Sequence, residues 1–131
     1  MNIALIAHES KKKLMQNFCI AYRSILAKNE LYATGSTGRL IEEVTNLNIH
    51  KHLTGHLGGM QQVAAQIEHN EIDLVIFLLD PNIPRAHEQS SDQIRRICDT
   101  HNIPIATNLA SAELLIKSLD RGDLEWREMY K

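Results

Sequence analysis

Cysteine is scarce in this 131-residue chain, which carries two, Cys19 and Cys98. Both fall inside amphipathic helical patterns and no export signal accompanies them, so a disulfide scaffold is excluded and two buried reduced thiols are expected. Long apolar runs are missing too: nothing approaches the ~20 residues that a membrane span requires. The start, Met1-Asn2-Ile3-Ala4-Leu5-Ile6-Ala7, enters directly into a strand pattern and shows no basic n-region or small-residue cleavage site. These absences predict a cytoplasmic protein that does not engage a membrane. Surplus positive charge is also lacking. With 14 Lys+Arg against 16 Asp+Glu the net charge is −2, which argues against broad nucleic-acid binding. Repeats, low-complexity tracts and linkers are not found, so residues 1–131 read as one domain.

What remains is ordinary in composition, 44% hydrophobic and 23% charged, and distinctive in order. Residues 3–7 form a continuous apolar run, the mark of a strand covered on both faces. A helix is expected at about 10–27, where Leu14, Met15, Phe18, Cys19, Tyr22, Ile25 and Leu26 share one stripe. Strands follow at 31–34 and, more weakly, at 47–52. Then come a helix at 61–69, the clearest buried strand at 73–79, a helix near 91–101, a strand at 103–107 and a helix at 111–119. Strands alternating with helices make an α/β fold with a mostly parallel five-stranded sheet and helices on both faces. Ligands of such sheets sit beyond the carboxyl ends of the strands. Almost every polar or glycine-rich cluster of the sequence falls at one of those ends.

Thr34-Gly35-Ser36-Thr37-Gly38 is the most informative of them. A strand-to-helix turn rich in glycine and hydroxyls gathers backbone N–H groups at a helix N-terminus, where the helix dipole favours an anion such as phosphate. Ser and Thr are also ordinary N-caps, so a plain capped loop fits these five residues as well. Thr54-Gly55 and Gly58-Gly59 form a second close-approach loop entering a helix. His8 closes the first strand and Lys12 lies one helical turn later. Lys12 can offer a point charge to a phosphate, and a neutral His8 can hydrogen-bond a carbonyl or enediolate oxygen. Asp80 could be an acid, a base, an orienter of His8 or the opener of a turn before Pro81. His87 and Glu88 follow in a loop that could cover the pocket. His50, His52 and His56 are numerous enough for zinc, but no carboxylate or cysteine accompanies them, so a metal site is not expected.

Five blocks, A-H-E-S-K-K-K, Y-A-T-G-S-T-G, T-G-H-L-G-G-M-Q-Q, D-L-V-I-F-L-L-D-P and I-P-I-A-T-N, occur here in order and spacing that resemble the methylglyoxal synthase family. The resemblance covers almost the whole chain. It implies a Rossmann-like three-layer domain that converts dihydroxyacetone phosphate to methylglyoxal and phosphate, without a cofactor, as a cytoplasmic homohexamer. It also implies roles. The family's H-D-x-x-K motif falls on His8, Glu9 and Lys12, and its phosphate-cradling A-T-G-T-T-G on Ala33 to Gly38, with Ser36 replacing a threonine. Thr34, Ser36, Thr37, Thr54 and Gly55 would then hold phosphate with Lys12, and His8, Asp80 and His87 would serve the chemistry.

Two departures matter more than these matches. The family's catalytic aspartate, the base that takes a proton from carbon, is replaced by Met60, and a second acid beyond the histidine is replaced by Ser90. His56 stands where the family has proline. A thioether takes no proton at useful pH, and removing a general base typically costs ~10²–10⁴ in rate. The expectation is a protein that binds phosphate or dihydroxyacetone phosphate with weak or lost turnover. The alternatives are a working lyase with its base relocated to Glu9, Asp80, His56 or Glu88, and a non-catalytic effector-binding module. Arg127 reads as a surface arginine unless it reaches a neighbour's pocket, and Trp126 as a packing residue.

Overall fold

Continuous apolar strands need cover on both faces. The computed structural model, which describes residues 1–55, 58–83 and 88–131 (88 and 89 by backbone alone), supplies it. Five strands, β1 (Asn2–Ala7), β2 (Glu30–Ala33), β3 (Ile49–Lys51), β4 (Leu74–Leu78) and β5 (Ile105–Ala106), form one sheet in the order β3-β2-β1-β4-β5. Every pairing is parallel, with Leu5 beside Ala33 and beside Ile76. Helices α1 (Lys12–Ala21), α2 (Arg23–Leu26), α3 (Gly35–Thr45), α4 (Gly59–Glu68), α5 (Glu88–Thr100) and α6 (Leu109–Asp120) connect and flank the strands. The fold is an α/β three-layer sandwich.

Alternation within the strands divides the core in two. Ile3, Leu5, Leu74 and Ile76 meet Met15 and Phe18 of α1, Ile41 of α3 and Ile116 of α6. Ala4, Ile6, Val75 and Phe77 meet Val63 and Ile67 of α4 and Ile94 and Cys98 of α5. Both cysteines are buried and free, and burial pushes each thiol up to about 12. They are inert packing groups. The strand order reverses direction between β1 and β4, so the crevice of a doubly wound sheet opens beside the residue that follows β1. That residue is His8.

Local departures have physical causes. The helix expected at 10–27 opens with a 3-10 turn, Glu9–Lys11, and breaks at Tyr22, whose φ of −110° and ψ of 25° leave the helical region. Two tertiary anchors meet there: the Tyr22 hydroxyl bonds the Glu113 carboxylate, and Arg23 Nε donates to the Thr45 carbonyl at 2.5 Å. They override a periodicity that reads as uninterrupted. Arg127 is a correction to the sequence reading, because it is only 3% exposed. Its guanidinium meets Asp73 Oδ1 at 3.3 Å, the Asn70 side chain at 2.5 Å and the carbonyls of His101 and Asn102 at 3.0 Å each. It clamps the C-terminal 3-10 turn, Glu125–Met129, to the amino end of the sheet. Trp126 beside it is half-exposed and packs edge-on against Tyr130.

Candidate functional site

At the carboxyl edge of β1 a cavity of about 380 Å³ opens, bordered by His8, Glu9, Lys12, the start of α3 and the loop after β3. Thr34, Ser36 and Thr37 line it from one side, Thr54 and Gly55 from another, and Met60, Phe77 and Ser90 close it. The structure thus brings together every described residue of the expected phosphate cradle. His56 and His87 lie outside the described residues.

The α3 end faces the cavity with polar groups and one ammonium. Thr34 holds the extended N-cap position but makes no side-chain cap to the helix. Its buried hydroxyl turns to Thr37 Oγ1 instead, at 3.5 Å. First-turn amides have no intrahelical acceptors, and here no hydroxyl cap answers them. Lys12 Nζ donates to Ser36 Oγ at 3.0 Å and pairs with Glu9 Oε2 at 2.8 Å. Lys12 is the one cation among the described residues bordering the cavity, and its side chain is 16% exposed. Hydrogen bonding to Lys12 and its charge hold the Glu9 carboxyl below the ordinary range.

Backbone closeness explains the glycines. A Cβ on Gly59 would fall 1.9 Å from the Leu53 carbonyl oxygen, so only glycine lets α4 start against the loop after β3. Gly58 preceding it adopts φ 108°, the left-handed region that favours glycine. On the other side, Gly35 N–H donates to the Leu53 carbonyl at 3.2 Å, tying the two loops into one cradle.

His8 is oriented by an unexpected group. The backbone N–H of Asp80 donates to His8 Nδ1 at 2.8 Å, so the ring proton sits on Nε2. The Asp80 carboxylate itself accepts from Asn82 N–H at 2.9 Å and Ser10 Oγ at 2.7 Å. Those two bonds, the Asn82 amide foremost, hold its carboxyl below the usual range. Asp80 therefore caps the turn after β4 with its carboxylate and meets His8 through its amide. Phe77 packs edge-on against the His8 ring, with centroids 5.2 Å apart.

Sequence reasoning missed Phe77, because a uniformly apolar strand gives no sign of which residue faces the crevice. It missed Ser10, hidden as the first helical turn, and also a second cavity of about 560 Å³ beyond His8, bordered by Lys11, Asp80, Arg95, Thr107 and Asn108. Among the described residues no three His, Cys, Asp or Glu converge. His50 pairs with Glu30 at 2.8 Å and His52 with Gln66 at 2.6 Å. No helix is long and apolar enough to cross a membrane among the described residues.

Known proteins are similar to this chain in sequence and fold. Residues 15–107 match the model of the MGS-like domain. A methylglyoxal synthase of Caldicellulosiruptor saccharolyticus is 60% identical over 129 residues, 98% of this chain and 92% of that protein. One of Clostridioides difficile is 56% identical over 131 residues, 100% of this chain and 96% of its own length. Among solved structures, the crystal structure of methylglyoxal synthase from Elizabethkingia anophelis NUHP1 is 34% identical, with a TM-score of 0.77 over 88% of this chain and 76% of that one. Fold and relatives agree: the chain belongs to the methylglyoxal synthase family.

Proposed function

We propose that the cavity beside His8 binds dihydroxyacetone phosphate, or inorganic phosphate alone, and that conversion to methylglyoxal and phosphate is weak. The observation that carries this reading is a cradle complete in its described parts with Met60 on its wall. Phosphate seats on the α3 amides, Ser36, Thr37, Thr54 and Lys12, where helix dipole and ammonium both favour a dianion. His8, protonated at Nε2, donates to the substrate carbonyl and to the enediolate oxygen that develops from it. Proton removal from carbon is the step left poorly served, because a thioether is no base. The same reading, by kinship, makes the protein a cytoplasmic homo-oligomer that needs no cofactor. Titration calorimetry with phosphate and with dihydroxyacetone phosphate should show binding in the millimolar range or tighter. Met60→Asp should raise methylglyoxal formation about 100-fold or more. Absence of heat with either ligand would overturn the reading.

A second reading, a fully working synthase, is favoured by relatives of 60% and 56% identity that bear that name. It predicts turnover within a few-fold of such a relative and no gain from Met60→Asp.

A further inference from the structure

We infer that Glu9 is the base for whatever proton transfer from carbon this pocket performs, an inference that rests on triose-phosphate binding at the cradle. Among the described residues bordering the cavity, Glu9 is the one carboxylate. Asp80, a rival among the described residues, borders the other cavity and accepts from Ser10 and the Asn82 amide. Glu9 follows His8 directly, and its carboxylate stands one ammonium group away from Ser36, since Lys12 Nζ touches both. A three-carbon substrate gripped by phosphate at Ser36 and by its carbonyl at His8 has its hydroxymethyl carbon left to face the segment that bears Glu9.

The balance of the step is complete without a co-reactant. Glu9 takes a proton from the hydroxymethyl carbon, and the freed electron pair forms the carbon–carbon double bond of an enediolate, whose oxygen charge is held by His8 Nε2–H. The hydroxyl proton of that carbon passes to the enediolate oxygen as an aldehyde forms. The double bond shifts toward the phosphate-bearing carbon, and phosphate leaves with the electrons of its carbon–oxygen bond. Protonated Glu9 returns its proton to that terminal carbon while the enol's hydroxyl proton passes to the departed phosphate, leaving methylglyoxal and hydrogen phosphate.

The pairing with Lys12 also accounts for slowness. The Glu9 side chain is 90% exposed and its carboxyl is held below the ordinary range by Lys12, so it is a weak base until phosphate draws the ammonium away. Glu9 and phosphate thus compete for one cation.

The test follows hydrogen exchange at the hydroxymethyl carbon of dihydroxyacetone phosphate in heavy water, with phosphate affinity measured beside it. Glu9→Gln should lower exchange about 100-fold or more while phosphate binds equally well or more tightly. Met60→Asp added to Glu9→Gln should restore exchange, which a merely structural role for Glu9 would not allow. Unchanged exchange in Glu9→Gln, a parallel fall of exchange and affinity, or no exchange in a wild-type protein that binds phosphate would each overturn Glu9 as base and leave the binding reading standing. Loss of phosphate binding in the wild type would instead overturn the reading beneath it.

Discussion

Among the described residues Lys12 has two partners, the Ser36 hydroxyl and the Glu9 carboxylate. A charge-assisted hydrogen bond contributes about 1.5–3 kcal/mol, so Lys12→Ala should weaken phosphate binding about 10- to 100-fold. Calorimetry at low and high salt checks this, and the loss should shrink as salt rises. An affinity within two-fold of wild type would mean that helix amides and hydroxyls alone hold the anion. The histidine and lysine were legible in the sequence because a strand end and a helical turn fix where such side chains point. Asp80 was legible as a neighbour of His8 but not in its manner of contact. A backbone amide has no residue-type signature, so its donation to His8 Nδ1 could be seen only once β1 and β4 were side by side.

At the scale of elements, the site depends on two loops that approach backbone to backbone. Gly59 shows how little room there is. An alanine Cβ would press within 1.9 Å of the Leu53 carbonyl oxygen, which no flexible side chain can relieve. Gly59→Ala should cost about 1–3 kcal/mol by overpacking, read as a lower denaturant midpoint at constant slope. Phosphate affinity should fall with it, because Thr54 and Gly55 belong to the displaced loop. Parallel pairing and layers were legible from apolar runs alternating with helical stripes, and the strand order was not. Lengths were not: β3 spans Ile49–Lys51 and β5 Ile105–Ala106, shorter than their apolar patterns, because pairing partners and not composition end an edge strand. The break at Tyr22 was invisible for a related reason, since both anchors, Glu113 and the Thr45 carbonyl, lie far away in the chain.

Across the whole molecule, the proposed phosphate cradle occupies the carboxyl edge of the sheet and a polar clamp holds the amino edge. Asp73 is fully buried and accepts from the Asn2 amide at 2.8 Å, from Lys131 at 2.6 Å and from Arg127 at 3.3 Å. Burial alone would raise its carboxyl, but Lys131, the Asn2 amide and Arg127 outweigh burial, so it lies below the ordinary range. A carboxyl depressed in the folded state stabilises fully above the unfolded value of about 4, and that contribution is lost as pH falls through the folded value. Thermal unfolding should therefore show an acid limb below about pH 4 that flattens in Asp73→Asn. Asp73→Ala, which leaves Arg127 buried without its carboxylate, should cost about 3–5 kcal/mol at neutral pH. Phosphate affinity in either variant should stay within about two-fold of wild type where the protein remains folded, because distant sites with no shared partners act independently. A large fall in affinity without unfolding would mean that the two edges of the sheet are coupled through β1, the strand that leads from Asn2 at the clamp to His8 at the cradle.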